Sequence, residues 1–198
     1  MSFFCPGRKC KKICQIIKEI IKEVDKKIFT VLGGAHPSAV PEEMLGDSNV
    51  DFVVLGEGES IINRLLEFIK DKKDIREIDG IGFRYNGSIR INHRKWYQEN
   101  LDEIPFPYWD MFPLGKYFNI NNPHGSLAKR IPFLPMITSR GCPFKCIFCS
   151  IHNIWGRNFR VRSAENVLLE LDYLVKKFGV KEFFLKMIIL LSTKNEQN

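Results

Sequence analysis

The sequence predicts an α/β chain: strands and helices alternate to build a parallel sheet, and a second β/α unit opens after an intervening hairpin and linker. Three observations predict it. Over residues 11–69 the apolar residues switch between helical spacing and short continuous runs. Both runs end in glycine, as strands of open α/β sheets do where ligands approach. The last third repeats the order strand, loop, helix, strand.

Residues Lys11–Lys27 carry Ile13, Ile16, Ile17, Ile20, Ile21 and Val24, which line one face of a helix. Ile28–Leu32 reads as a short buried strand ending at Gly33-Gly34, with Ala35-His36-Pro37 as the following loop. Pro41 suits the first turn of the next helix, and Glu42 and Glu43 complement its positive end. Asp51–Leu55 is the second strand, closed by Gly56-Glu57-Gly58-Glu59. A helix with Ile61, Ile62, Leu65, Leu66, Phe68 and Ile69 follows. On their own, the glycines read as tight strand-to-helix turns or as room for a ligand against the backbone.

Phe83 and Tyr85 precede Asn86-Gly87, and Ile89 and Ile91 follow it, which predicts a type I′ hairpin. Leu101–Pro113 has three prolines and several aromatics and reads as a linker that packs on something. Asn119–Lys129 reads as an exposed loop. Leu134–Ser139 is a strand leading into Arg140-Gly141-Cys142. Ser163 caps a helix whose apolar face is Val167, Leu168, Leu171, Leu174, Val175 and Phe178. Gly179 ends it, and Val180–Leu185 starts another strand. The tail Ser192–Asn198 is polar.

The 198 residues are 44% hydrophobic and 27% charged, a globular composition. The net charge of +7 is spread among acids along helices, densest at Arg8–Lys12 and Arg157–Arg162. Such scatter is the pattern of solvated helix faces, so nucleic acid is not expected as a partner. No apolar run has the length of a membrane span, and the N-terminus lacks a signal-peptide core. A cytoplasmic, reducing location is therefore expected, where the six cysteines are thiols or metal ligands.

Cys142-Pro-Phe-Lys-Cys146-Ile-Phe-Cys149 brings three thiolates onto one loop. A 4Fe-4S cubane takes such ligands, and three of them leave one iron open for a ligand from outside the protein. A structural zinc site completed by His152, as C-x3-C-x2-C-x2-H, and unligated thiols are the alternatives.

CxxxCxxC with an aromatic before its last cysteine, here Phe148, resembles the signature of radical S-adenosylmethionine enzymes, and TSRGCPFKCIFC and RNFRVRSAENVLLELDYL resemble the start of their barrel. VLGGAHPSAVPEE and DFVVLGEGE resemble the cobalamin-binding domain that precedes that barrel in the cobalamin-dependent branch. The resemblance covers residues 10–185. It implies a partial doubly wound cobalamin-binding domain over 1–75, a hairpin and linker over 76–130, and the N-terminal part of a radical S-adenosylmethionine (β/α) barrel over 131–198. It implies a cluster on Cys142, Cys146 and Cys149, with S-adenosylmethionine on the open iron and reductively cleaved to a 5′-deoxyadenosyl radical. Phe148 would lie near the adenine or pack in the core. Gly33, Gly34, Gly56 and Gly58 would face cobalamin, used for methyl transfer or a radical rearrangement. His36 reads as a loop residue and not a cobalt ligand, because no Asp-x-His-x-x-Gly occurs. Arg160 and Arg162 would face an anionic cofactor group or solvent. The implied partners are a small-molecule substrate and an electron donor such as flavodoxin or ferredoxin.

The chain departs from the family pattern at both ends, which implies a fragment. Cys5, Cys10 and Cys14 fit a second cluster poorly and are expected to hold no metal, and the GGAHP and GEGE segments favour the cobalamin-dependent reading over the RNA methylthiotransferase one. Lys186–Leu191 has no acid where the family carries one near the S-adenosylmethionine amino group. Sheet edges left open in such a piece predict poor solubility.

Overall fold

The computed structural model describes residues 19–71, 74–120 and 128–186. The chain divides into two units. One holds the described residues up to Tyr97 together with Phe144–Arg157; the other holds Gln98–Pro143 and the described residues from Asn158 onward. Cys5, Cys10, Cys14 and the tail lie outside the described residues, as does most of the loop expected at Asn119–Lys129.

In the first unit, short apolar runs form β1 (Val31–Gly33) and β2 (Phe52–Val54), and the Asn-Gly hairpin forms β3 (Ile81–Tyr85) and β4 (Ser88–Asn92). They make one sheet in the order β1-β2-β3-β4. β1 and β2 are parallel, in register from Val31↔Phe52 to Gly33↔Val54, so both glycine turns leave the same sheet edge at the same level. β3 runs antiparallel to β2, and the hairpin thereby extends this sheet. Asn86 and Gly87 both take positive φ, 49° and 78°, as a type I′ turn requires.

The strand period of two sends alternate residues of β2 to opposite faces. Phe52 and Val54 meet Ile61 and Leu65 of α4 (Glu59–Asp71), with Ile81 and Phe83 beside them. Val53 joins Leu32, Met44, Leu45, Val50 and Leu55 under α2 (Ala35–Ala39) and α3 (Pro41–Leu45). Each such buried side chain contributes roughly 1.5–3 kcal/mol relative to exposure. The segment of α2 reads as a loop in the sequence; its single turn accommodates Pro37 because the first turn of a helix needs no N–H there.

Three expectations need correction. The first strand begins at Val31, and Ile28 and Phe29 are exposed. The described part of α1, residues 19–24, leaves Ile20 and Val24 exposed. Leu66 of α4 faces outward, since Ile61 and Leu65 already occupy the inward stripe.

In the second unit, β5 (Phe133–Ile137) and β8 (Glu182–Lys186) pair in parallel, joined through α7 (Ala164–Phe178) in a βαβ arrangement. Leu134, Met136, Leu174 and Val180 form its core with Leu114 of α5 (Leu114–Ile120). Trp109, on the Pro-rich linker, packs against that core, so the linker is held down as expected. Leu168 and Val175, expected on the buried face of α7, are exposed. The Ser163 hydroxyl accepts from the Asn166 N–H at 3.1 Å, and Gly179 closes the helix at φ 65°.

Asp102 accepts from the Ser163 backbone N–H at 2.9 Å, and hydrogen bonding from Ser163 holds its carboxyl below the usual range, with the Arg162 charge adding a smaller effect. Because the folded-state value is depressed, its contribution is complete above the unfolded Asp value of about 3.9 and fades as pH falls through the folded one. Asp102→Asn is therefore expected to be less stable than the parent chain at neutral pH and to converge with it in acid, as read by denaturant midpoints across pH. A constant difference at all pH values would contradict this.

Candidate functional site

The two glycine turns share one polar link. Ser38, on α2, donates from its N–H (3.1 Å) and its hydroxyl (2.7 Å) to the Gly34 carbonyl, and the same hydroxyl accepts the Gly56 N–H at 2.9 Å. Arg94 braces the second turn from the other side. Its guanidinium donates to the carbonyls of Leu55 (3.2 Å) and Glu57 and to that of Trp96 (2.7 Å), and it lies 4.8 Å from the centre of the Tyr97 ring. His36 buries an imidazole nitrogen, Nε2, that has no hydrogen-bond partner.

The four glycines differ in what they are needed for. Gly34 and Gly56 take φ 98° and 71°, conformations that L side chains rarely adopt. A Cβ on Gly56 would also stand 2.7 Å from the Ile154 carbonyl oxygen. Gly33 and Gly58 are different: a Cβ there would meet nothing nearer than 3.7 Å and 3.6 Å respectively. The packing of the protein alone does not demand glycine at those two positions.

The cysteine loop is closed at its base by a two-stranded ribbon. β6 (Ser139–Arg140) pairs antiparallel with β7 (Arg160–Val161). Gly141 turns out of β6 at φ 82°, and a Cβ there would lie 1.8 Å from the Asn158 carbonyl oxygen, so only glycine fits. Within the loop, Cys149 donates its N–H to the Cys146 carbonyl at 3.2 Å, forming a turn. Arg157 reaches back to the Phe144 carbonyl at 3.1 Å. α6 (His152–Trp155) follows the last cysteine and packs against α2. Gly156 ends α6 with the Tyr97 ring 2.8 Å from where its Cβ would stand.

None of the three cysteines is in a disulfide; Cys142 is buried, Cys146 exposed and Cys149 intermediate. Phe148 is 89% exposed, so the core-packing reading of that residue is wrong. Phe144 and Ile147 are exposed as well. Among the described residues, no three His, Cys, Asp or Glu side chains stand close enough together to hold a metal ion. The donor chemistry fits an iron–sulfur cluster nonetheless: three free thiols on one loop, with a base that tolerates no side chain at Gly141.

Arg160 and Arg162 correct a further expectation. They face neither solvent nor an open site. Arg160 is buried and donates to the Gln98 carbonyl at 2.7 Å. Arg162 donates to Asn166 Oδ1 at 2.7 Å and stands 2.6 Å from Glu170 Oε2, an ion pair and not a well-aligned hydrogen bond. Ser38, Arg94, Tyr97 and Glu170 carry no mark of these roles in the sequence. Each acts across a long separation in the chain, and none belongs to a local pattern that singles it out.

Residues 2–66 match the family model described as the B12 binding domain. An uncharacterized methyltransferase of Pyrococcus horikoshii is 35% identical over 159 residues, covering 80% of this chain and 33% of that protein. The cytidylyl-2-hydroxyethylphosphonate methyltransferase of Streptomyces wedmorensis is 31% identical over 178 residues, covering 79% and 33%. Among solved structures, the cobalamin-dependent S-adenosylmethionine radical enzyme OxsB, with aqua-cobalamin and S-adenosylmethionine bound, superposes with a TM-score of 0.70 at 25% identity over 93% of this chain and 24% of that one. The chain thus spans about a third of the length of these curated relatives. Its N-terminal α/β region is cobalamin-binding-like, and the sheet region that follows in the chain resembles the start of a radical S-adenosylmethionine fold that is not closed into a barrel. Among the described residues, no helix is long and apolar enough to cross a membrane. The B12 match at residues 2–66 and the likeness to OxsB over 93% of the chain identify a cobalamin-binding, radical S-adenosylmethionine-like protein.

Proposed function

We propose that this chain forms the cobalamin- and cluster-binding part of a methyl-transferring radical S-adenosylmethionine enzyme. The observation that carries the reading is the order of its parts. A B12-binding match with two level glycine turns precedes a three-cysteine loop that leaves the carboxyl end of the first strand of a parallel βαβ unit. Two curated relatives are methyltransferases by name, which favours methyl transfer over rearrangement.

In this reading Cys142, Cys146 and Cys149 hold a 4Fe-4S cluster, and the loop brings them together as metal binds. Gly33, Gly34 and Gly58 face cobalamin, because Gly33 and Gly58 lack side chains for which the fold itself has room. Gly56 belongs to the same turn, but its N–H is taken by Ser38 and its open side by Ile154. Phe148, exposed beside the thiols, offers a flat apolar surface to the adenine of S-adenosylmethionine. When bound, the cluster supplies the electron for reductive cleavage of the S-adenosylmethionine sulfonium bond, and cobalamin carries the methyl group. The electron donor is a flavodoxin or ferredoxin type protein, and the substrate is a small molecule.

The test is anaerobic reconstitution with ferrous iron and sulfide, followed by iron and sulfide analysis and a visible spectrum, with and without hydroxocobalamin. Close to four irons per chain and a broad brown absorbance are expected of the parent chain, with almost complete loss in Cys146→Ala. A colourless protein that retains zinc would refute the reading in favour of the site completed by His152.

A further inference from the structure

Within the first unit, the glycine turns and the segment carrying Cys146 and Cys149 are joined by two separate routes, and both end on α6. The first runs through hydrogen bonds and close backbone contact. Ser38 joins the Gly34 carbonyl to the Gly56 N–H, and Gly56 leaves the space in which the Ile154 carbonyl sits, 2.7 Å from where a Cβ would be. The second runs through Arg94. It donates to the carbonyls of Leu55 and Glu57 on either side of Gly56, its guanidinium lies 4.8 Å from the centre of the Tyr97 ring, and that ring occupies the space a Gly156 side chain would need. Ile154 lies inside α6 and Gly156 ends it; α6 begins three residues after Cys149.

We propose that the β2–α4 turn, through Gly56 and through Arg94 with Tyr97, positions the cysteine-bearing segment, so that a ligand seated on the glycine turns and a cluster held by the loop stabilise each other. The inference rests on the function proposed above and adds to it a coupling between the two cofactors. Its physical basis is the tightness of both contacts. At Gly56 and at Gly156 the facing element leaves no room for a side chain, so the elements are in close packing contact and a shift of one presses on the other. A ligand that fixes the turns narrows the conformations open to α6 and lowers the cost of ordering the thiols around metal. Linkage makes the effect reciprocal. Gly56, Arg94 and Tyr97 act here as positioning residues.

The experiment measures release of iron from the anaerobically reconstituted chain to a ferrous chelator, with and without saturating hydroxocobalamin. It also measures hydroxocobalamin affinity before and after cluster loading. In the parent chain, hydroxocobalamin is expected to slow iron release about 5-fold or more and to bind more tightly to the loaded chain by a comparable factor. Tyr97→Ala removes the second route without touching either glycine turn, and Gly56→Ala obstructs the first. Both are expected to bring the two ratios toward one. Gly115→Ala, in open space on α5, controls for handling and leaves the ratios as in the parent chain. If both cofactors bind the parent chain and the ratios are one, the coupling is wrong while the proposed function stands. Unchanged ratios in Tyr97→Ala and Gly56→Ala would likewise overturn it. If the parent chain binds neither cofactor, the proposed function falls and takes the coupling with it. Should a variant fail to fold by circular dichroism, the reciprocal measurement on the parent chain decides alone.

Discussion

Gly141→Ala is expected to abolish iron incorporation and to destabilise the second unit by roughly 3 kcal/mol or more. The backbone at this position has φ 82°, where any L side chain is strained by about 1–2 kcal/mol. The larger cost is steric. The new Cβ would lie 1.8 Å from the Asn158 carbonyl oxygen and 2.7 Å from its carbon, both backbone atoms that no rotamer change can move aside. Asn158 cannot retreat, because the next residues enter β7, where Arg160 pairs with Arg140 and is anchored to the Gln98 carbonyl. Relief therefore requires the β6–β7 ribbon to open, and that ribbon closes the cysteine loop. For a domain whose total stability is typically about 5–15 kcal/mol, such a loss shifts the denaturant midpoint substantially. Iron per chain and a urea titration followed by circular dichroism check both halves. Wild-type iron loading in Gly141→Ala, with an unshifted midpoint, would show that the loop base yields where the geometry says it cannot.

The need for glycine at that position is set by a remote carbonyl, whereas the features legible in the residues are those of local chemistry. Asn86-Gly87 marks its hairpin because only a pair that accepts positive φ makes that turn. Ser163 and Gly179 mark both ends of α7 through hydrogen bonds and backbone angles decided within four residues. The cysteine triplet is legible for the same reason: its three donors lie within eight residues.

What acts at a distance is not legible. Nothing in SAVPEE marks Ser38 as the link between two turns that are 22 residues apart. Arg160 and Arg162 sit in a basic run that reads as solvated, yet both turn inward, because the carbonyls of Gln98 and Ile137 and the carboxylate of Glu170 supply partners from remote stretches of chain. Phe148 fails in the opposite direction. An aromatic in an apolar stretch carries a core alternative, yet Phe148 and its neighbour Ile147 both stand exposed on the turn from Cys146 to Cys149. The pairing of β3 with β2 likewise depends on which sheet edge is free, a property of the assembled layer and not of the hairpin.

Arg162→Met is expected to destabilise the second unit by about 3–5 kcal/mol, and the double variant Arg162→Met, Glu170→Leu to recover a large part of that loss. Glu170 is 1% exposed, on the inner face of α7. One of its oxygens accepts the Trp109 indole N–H at 2.9 Å; the other faces the Arg162 guanidinium at 2.6 Å. Removing the arginine alone leaves a carboxylate with its main countercharge gone in a site from which water is excluded, and that uncompensated charge sets the size of the loss. Replacing both groups by apolar side chains removes the charge as well as its partner. What stays lost is the satisfaction of the Trp109 N–H, about 1–3 kcal/mol for a buried donor without an acceptor. Arg162 also donates to the Ile137 carbonyl at 3.2 Å and to Asn166, so it ties the end of β5 to α7. That tie is lost in both variants, so iron loading is expected to differ between them only as stability does, lower in the single variant and higher in the double. A double-mutant cycle from denaturant midpoints, run alongside iron analysis, measures both. If the double variant is less stable than Arg162→Met, the buried pair is not what holds α7 in place, and the linker tryptophan takes over that role.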